Sequence, residues 1–438
     1  MICLISISRR CSVKKTKQKM FTKQEWSWIF YDWANSAYSI FIATVLPIFA
    51  SSVARVSGID SVTHTANWGY TSAIACVLVA LSSPILGTLA DYKGVRKRFF
   101  IAFFLLGVLS TGIIPIANSY IAVLIIYGIT NFGFAGANVF YDAFLLDVTT
   151  NDRMDKVSSW GFGMGYIGGS TIPFLVTIAL NLFGERIGVD GTMTMQISCF
   201  LTAIWWAVFT LPLIFNVKQI SGIEREPHMV ANSFKRLGHT LKNIKKHKFL
   251  FIFLIAYFFY IDGVGTIIKM ATTYGDALGI DSTALMVGLL ITQVVAFPCA
   301  IIYGKLASRF SSKKMILVGI VTYFAVCVVG YFMKSATEFY ILAGLVGTAQ
   351  GGIQALSRSY FGKAIPDKRQ AGEFFGFFSI FSKFESVLGT FLMSTVITLT
   401  NNINLGVVSI LLTFIIGGTL MLFVPDDKNL EQAKAITE

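Results

Sequence analysis

Apolar residues gather along the chain in twelve runs, at roughly 27–50, 68–90, 99–118, 121–146, 157–182, 193–216, 249–271, 283–306, 315–333, 338–362, 373–398 and 404–424. A hydrocarbon core about 30 Å thick is crossed by about 20 residues of helix, and each run is close to or above that length. The pattern predicts an all-α membrane protein of twelve transmembrane helices.

The polar stretches between the runs carry a repeat. Between runs two and three the chain reads Gly87-Thr-Leu-Ala-Asp-Tyr-Lys-Gly-Val-Arg-Lys-Arg98, and between runs eight and nine Gly304-Lys-Leu-Ala-Ser-Arg-Phe-Ser-Ser-Lys-Lys314. The second copy has Ser308 in the place of Asp91 and Ser311 in the place of Gly94, and it lies 217 residues after the first, about half of the 438-residue chain. Repeats of this kind mark transporters whose site lies between the halves. The expected organisation is a tail at 1–26, a six-helix half at 27–217, a basic linker at 218–248, a second six-helix half at 249–424 and a tail at 425–438. Gly87 should let two helices approach closely, Asp91 should stand where one helix leaves the membrane, and Gly94 should permit a tight reversal. Arg96, Lys97 and Arg98 should lie at headgroups. The Gly-x-x-x-Asp-x-x-Gly-x-Arg-Lys pattern resembles the signature loop of the major facilitator superfamily. The resemblance implies two pseudo-symmetric halves and a loop that latches and unlatches neighbouring helices.

Composition agrees with the pattern. Apolar residues make up 55% and charged residues only 13% of the chain, against about a quarter charged in soluble domains. The net charge of +13 would suggest nucleic acid were it not for its placement. Thirty of the 36 basic residues fall on one side of the twelve-span plan, which by the positive-inside rule puts both termini in the cytoplasm and makes lipid, not nucleic acid, the partner. The six cysteines show no paired spacing and the four histidines no ligand motif, so no metal or cofactor is expected. No phosphate-binding Walker loop is present, so ATP is not the direct energy source. The intramembrane charges are dispersed over several spans, which argues against an enzyme. Residues 1–19 read as an extension or an upstream start, because Met20 leads straight into the first span.

Polar residues inside the spans are the candidate site, because charge in a span is costly and is kept for a purpose. Asp32, Asn35, Ser36 and Ser39 share one face of span one. Asn131, Ala135, Asn138 and Asp142 form a stripe on span four, mirrored by Gln350, Gln354 and Arg358 on span ten. Asp262, Thr266 and Lys269 share a face of span seven, and Lys383 and Glu385, two residues apart, stand on nearly opposite sides of span eleven. Asn35, Ser39, Asn131, Asn138, Asp262, Lys269, Gln350 and Gln354 are expected to contact solute. Asp142 and Arg358 are expected to pair across the halves as a gate, with Asp32, Gly87, Asp91, Gly94, Arg96 and Lys97 also gating and Glu385 carrying a proton. Helix-packing roles for Asp32 and the amides, an interfacial Arg358 and a structural hydrogen bond from Glu385 remain open alternatives. Gly161, Gly165 and Gly169 on span five should form a smooth packing face.

The run Tyr31-Asp-Trp-Ala-Asn-Ser-Ala-Tyr38, followed by Pro47-Ile-Phe49, is similar to the opening of the vacuole-effluxer-like family, the autophagy-related vacuolar amino-acid effluxers of fungi and their bacterial relatives. Gly136-Ala-Asn-Val-Phe-Tyr-Asp142 and Gly372-Glu-Phe-Phe-Gly376 extend the likeness. It implies export of a small polar or zwitterionic solute such as an amino acid, with a proton as candidate coupling ion. The chain length and the short central loop look bacterial, so a bacterial plasma membrane is expected, and the protein is expected to be a monomer. A transporter-like solute sensor without net transport is the alternative.

Overall fold

The computed structural model describes residues 20–117, 119–242 and 248–430. The expected extension at 1–19, the basic end of the linker at 243–247 and the tail at 431–438 lie outside the described residues. Among the described residues, twelve helices are long and apolar enough to span a membrane: α1 Lys23–Val56, α2 Ser61–Ala90, α3 Val95–Ile116, α4 Tyr120–Val148, α5 Met154–Ile187, α6 Gly191–Asn216, α7 Lys248–Ala277, α8 Thr283–Arg309, α9 Ser312–Phe332, α10 Ala336–Ala364, α11 Lys368–Thr400 and α12 Ile403–Leu422. The protein is an integral membrane protein of twelve helices in two six-helix halves. The helix starts are set by residues that accept the orphan N–H groups of a first turn. Thr22 with Glu25 and Ser335 with Glu338 form reciprocal capping boxes, and Asp60, Ser119 and Asp190 cap α2, α4 and α6.

The two halves meet along α2 with α11, and along α5 with α8 and α10. Glycine sets both crossings. A Cβ on Gly87 would fall on the Gly372 carbonyl oxygen, and one on Gly304 would lie 2.6 Å from Ser159 Cβ. Both glycines belong to the repeated loops, so the crossings lie on the side that carries those loops, here called the basic side. Between α6 and α7 a linker helix, Met229–Lys242, packs on α2.

Two spans are interrupted at depth. Along α5, Gly165–Thr171 adopts a π-helical turn packed against α1 and α8, and the glycine face there lies on α1, with Asp32 against Gly161 and Ser36 against Gly165. The interruption of α11 overturns the expectation of a continuous helix. Its inner segment, Ala371–Lys383, ends at Lys383, and an outer segment, Val387–Thr400, begins after Ser386, whose φ of 70° is left-handed. The new N-terminus is capped from another helix, because the Asp262 carboxylate of α7 accepts the N–H groups of Leu388 at 2.9 Å and Gly389 at 2.6 Å. The inner segment packs on α2 and α4 of the first half and also on α7 of its own, while the outer segment packs on α7 and α12 of its own half. The outer part of α5 likewise packs on α6.

Candidate functional site

Three groups of polar contacts tie the halves together on the basic side. At the centre, Arg358 of α10 is 3% exposed and reaches into the first half. Its Nη2 is 2.8 Å from Asp32 Oδ2, its Nη1 3.3 Å from Asp142 Oδ1, and its Nε donates to Ser158 Oγ at 3.0 Å. The rings of Trp28 and Phe162 flank the guanidinium at 4.5 and 4.4 Å. A planar five-donor cation suits this surround of two carboxylates, a hydroxyl and two ring faces. The burial of Arg358 removes the interfacial alternative. Asp142 lies where the paired-gate expectation puts it, but Asp32 is the nearer partner.

The second tie uses the signature loop. Asp91 is fully buried and accepts the N–H groups of Gly372 at 2.7 Å and Glu373 at 3.0 Å, at the start of the inner segment of α11. A carboxylate there both fills the free donors and meets the positive end of the helix dipole. Arg96 is also fully buried, bonded to Asp91 at 3.1 Å and to Asp147 at 2.7 Å. The expectation that Arg96 lies at the headgroups is therefore corrected: two carboxylates draw it inward. Lys97 donates to the Val217 carbonyl at 2.9 Å, and Gly94, with φ 74°, caps α3 and donates to Gln219 Oε1 at 3.0 Å. The loop is thereby strapped to the linker, whose Ile223 pairs with Tyr92 and whose Arg236 covers the Tyr92 ring at 5.0 Å.

The third tie went unread in the sequence. Asp155 of α5 enters a pocket of the other half and accepts from Lys363 Nζ at 2.8 Å, Ser359 Oγ at 2.6 Å and Ser312 Oγ at 2.9 Å. Lys363 also bonds Asp427 at 2.8 Å. Burial alone would raise the Asp427 carboxyl, but the Lys363 ammonium and the Ser312 donors hold it below the ordinary carboxylate range. Asp155, Lys363 and Asp427 stand near span ends, where sequence cannot separate a buried ion pair from solvated positive-inside residues. The weak signal for this tie is the second copy of the loop, because Ser312 follows Ser311, the counterpart of Gly94.

One turn toward the opposite side lies a layer of amides. Asn35 Nδ2 donates to Asn138 Oδ1 at 3.2 Å, and Tyr166 of α5 donates to Gln354 Oε1 at 2.9 Å, so both contacts join different spans. Asn131 is half-buried, beside the Tyr127 hydroxyl. Ser39 is exposed and bonds its own helix at the Asn35 carbonyl. Gln350 instead borders an apolar cavity inside the second half, between Ile267, Tyr274, Thr292, Phe339 and Met393. Asp262 and Lys269, which share a face of span seven in the sequence, have different surroundings. Asp262 is fully buried and bound to the α11 backbone, whereas Lys269 is exposed. Glu385 lies at the α11 break and packs its Cγ on Gly265 of α7.

A sequence profile described as vacuole effluxer Atg22 like matches residues 21–154 and 146–434. The chain belongs to this Atg22-like family. The Atg22-like chain is 53% identical over 414 residues to the uncharacterized MFS-type transporter YxiO of Bacillus subtilis, covering 93% of this chain and 96% of that protein. It is 22% identical over 496 residues to autophagy-related protein 22 of Coccidioides immitis, covering 92% and 80%. Its fold is that of the major facilitator superfamily. FucP in the outward conformation superposes with a TM-score of 0.72 at 15% identity, over 92% of this chain and 98% of that one. The proton:xylose symporter XylE does so with 0.69 at 12%, over 95% and 98%. The Atg22-like protein is a membrane transporter and not an enzyme.

Proposed function

We propose that the protein is a secondary active exporter of a small polar or zwitterionic solute, amino acids being the leading class, working by alternating access in a bacterial plasma membrane. The basic side faces the cytoplasm, as the distribution of Lys and Arg favours. The observation that carries this reading is the placement of the ionic ties between the halves. Arg358 with Asp32 and Asp142, Asp91 with the start of α11, and Asp155 with Lys363 all lie on the basic side. The outer segments of α5 and α11, by contrast, pack within their own halves. This arrangement suits an outward-open state with its cytoplasmic gate shut, and the units that rock are 27–217 and 249–424.

The amide layer of Asn35, Asn138 and Gln354 lines the solute path above the gate. Glu385, a carboxylate at the α11 break, is the candidate proton carrier. Export is favoured by the effluxer description of the family. The test is efflux from proteoliposomes loaded with an isotope-labelled mixture of the twenty common amino acids, with and without an imposed proton gradient. Efflux of at least one amino acid above that from empty liposomes, faster with the gradient, is expected. No amino acid leaving under either condition would overturn the reading.

A further inference from the structure

The cations that close the basic side are matched to carboxylates. Arg358 has Asp32 at 2.8 Å, Lys363 has Asp155 and Asp427 at 2.8 Å, and Arg96 has Asp147 at 2.7 Å. Lys383 breaks that pattern. It is the last residue of the inner segment of α11, and its carbonyl, left free by the end of the helix, accepts the Cys76 thiol of α2 at 3.2 Å. Its side chain crosses toward the first half and sets the ammonium 5.8 Å from the Phe134 ring of α4. Phe134 stands one turn along α4 from Asn131 and Asn138, so Lys383 reaches the helix that carries the polar stripe.

No carboxylate lies within ion-pair distance of Lys383 among the described residues, and its ammonium finds no hydrogen-bond acceptor there. Its charged and titratable neighbours are Glu385, Cys76 and Asp142. Asp142 is bonded to Arg358. Glu385 packs on Gly265 of α7 and has Lys383 as its leading charged neighbour, ahead of Asp262 and Lys269, without coming within ion-pair distance of it. Asp262 in turn is occupied by the backbone of the outer segment. A half-buried lysine in the middle of span α11 therefore has a ring face, the negative end of a short helix and the nearby charge of Glu385 around it, with no acceptor bonded to its ammonium among the described residues. Three ammonium donors without an acceptor make a receptor for an anion, and a carboxylate is the anion that a small zwitterionic solute brings.

We propose that Lys383 is the residue that binds the carboxylate of the transported solute. The inference rests on the exporter reading above and sharpens it: the solute carries a carboxylate, and its amide or decarboxylated analogue is refused. Glu385, two residues on across the break, is the leading charged neighbour of Lys383 and would feel the charge of its occupant. Because the inner segment bridges α2 and α4 of the first half and α7 of the second, while the outer segment packs on α7 and α12 of its own half, a solute held at Lys383 sits where motion of one half against the other is felt.

The test uses the full chain in proteoliposomes, with the twenty-amino-acid mixture and the matching carboxamides as probes. The parent is expected to move one or more amino acids and not their carboxamides. Lys383→Gln should lose roughly tenfold or more of that transport, and Lys383→Arg should keep part of it. A second arm places Lys383→Cys in a background free of other cysteines and treats the folded, purified protein with aminoethyl methanethiosulfonate, which restores an ammonium, or with the neutral methyl reagent. Recovery with the first and not the second is expected, at unchanged melting temperature. If Lys383→Gln transports within threefold of the parent with the same discrimination, or restoring the ammonium recovers nothing, the inference fails while the exporter reading stands. If the parent moves no amino acid, the exporter reading itself fails.

Discussion

At the scale of single residues the gate is a question of which carboxylate holds Arg358. Asp32 is the nearer, at 2.8 Å against 3.3 Å for Asp142, and its side chain is 9% exposed against 21%. Removing one partner of a buried ion pair costs about 3–5 kcal/mol, because a charge is left behind without compensation. Asp32→Asn should therefore slow efflux more than Asp142→Asn, at equal protein per liposome. Exchanging charges between Asp32 and Arg358 should recover more activity than the same exchange with Asp142. Arg358→Lys keeps the charge but loses the planar fork, and efflux roughly tenfold or more below the parent is expected. The proton role is tested separately: Glu385→Gln should lose gradient-driven transport yet keep solute exchange without a gradient. A variant that still concentrates solute against its gradient would free Glu385 from that role.

At the scale of elements, the break in α11 is the feature that the site depends on, and a residue of another helix makes it. Asp262 caps the outer segment, and loss of a cap costs about 0.5–2 kcal/mol. Asp262→Ala should lower the apparent melting midpoint while the solute concentration for half-maximal transport stays near the parent's. An unchanged midpoint with a raised half-maximal concentration would return Asp262 to the solute path. Gly87→Ala should act at the other end of the same helix, since its methyl group meets the Gly372 carbonyl. Overpacking of this kind costs about 1–3 kcal/mol, and the expected readout is slower efflux with the protein still folded. The twelve spans were legible in the sequence because hydrophobic length alone defines them. The break was not. Lys383-Phe-Glu-Ser386 contains neither glycine nor proline, and the carboxylate that stabilises the new helix start lies 124 residues earlier than Ser386 in the chain. For the same reason Asp262 and Lys269 read as one solute-facing stripe at helical spacing, although Asp262 is engaged by the backbone of another helix. Asp91 was legible as a functional residue, but its acceptance of the Gly372 and Glu373 N–H groups needed the fold.

At the scale of the whole molecule the duplication explains where the ties fall. Gly87 of α2 meets α11, and Gly304 of α8 meets α5, as equivalent crossings of the two halves. The first copy supplies its own carboxylate, Asp91. In the second copy Ser308 stands in that place, and Asp155 arrives from the opposite half to bond Ser312 and Lys363. Each crossing thus has one carboxylate of the first half set into the second. In the proposed cycle they close the basic side together with Arg358, and opening requires all three to part. The central claim is that this closure alternates with closure of the other side, and double electron–electron resonance in lipid nanodiscs tests it without knowledge of the solute. Spin labels on Asp152→Cys with Ser308→Cys report the basic side, and labels on Val56→Cys with Asn402→Cys report the opposite side, all in a cysteine-free background. With Arg358→Ala the population of the basic-side pair is expected to move to longer distances while that of the outer pair moves to shorter ones. Distances that stay fixed, or that lengthen together on both sides, would contradict the account.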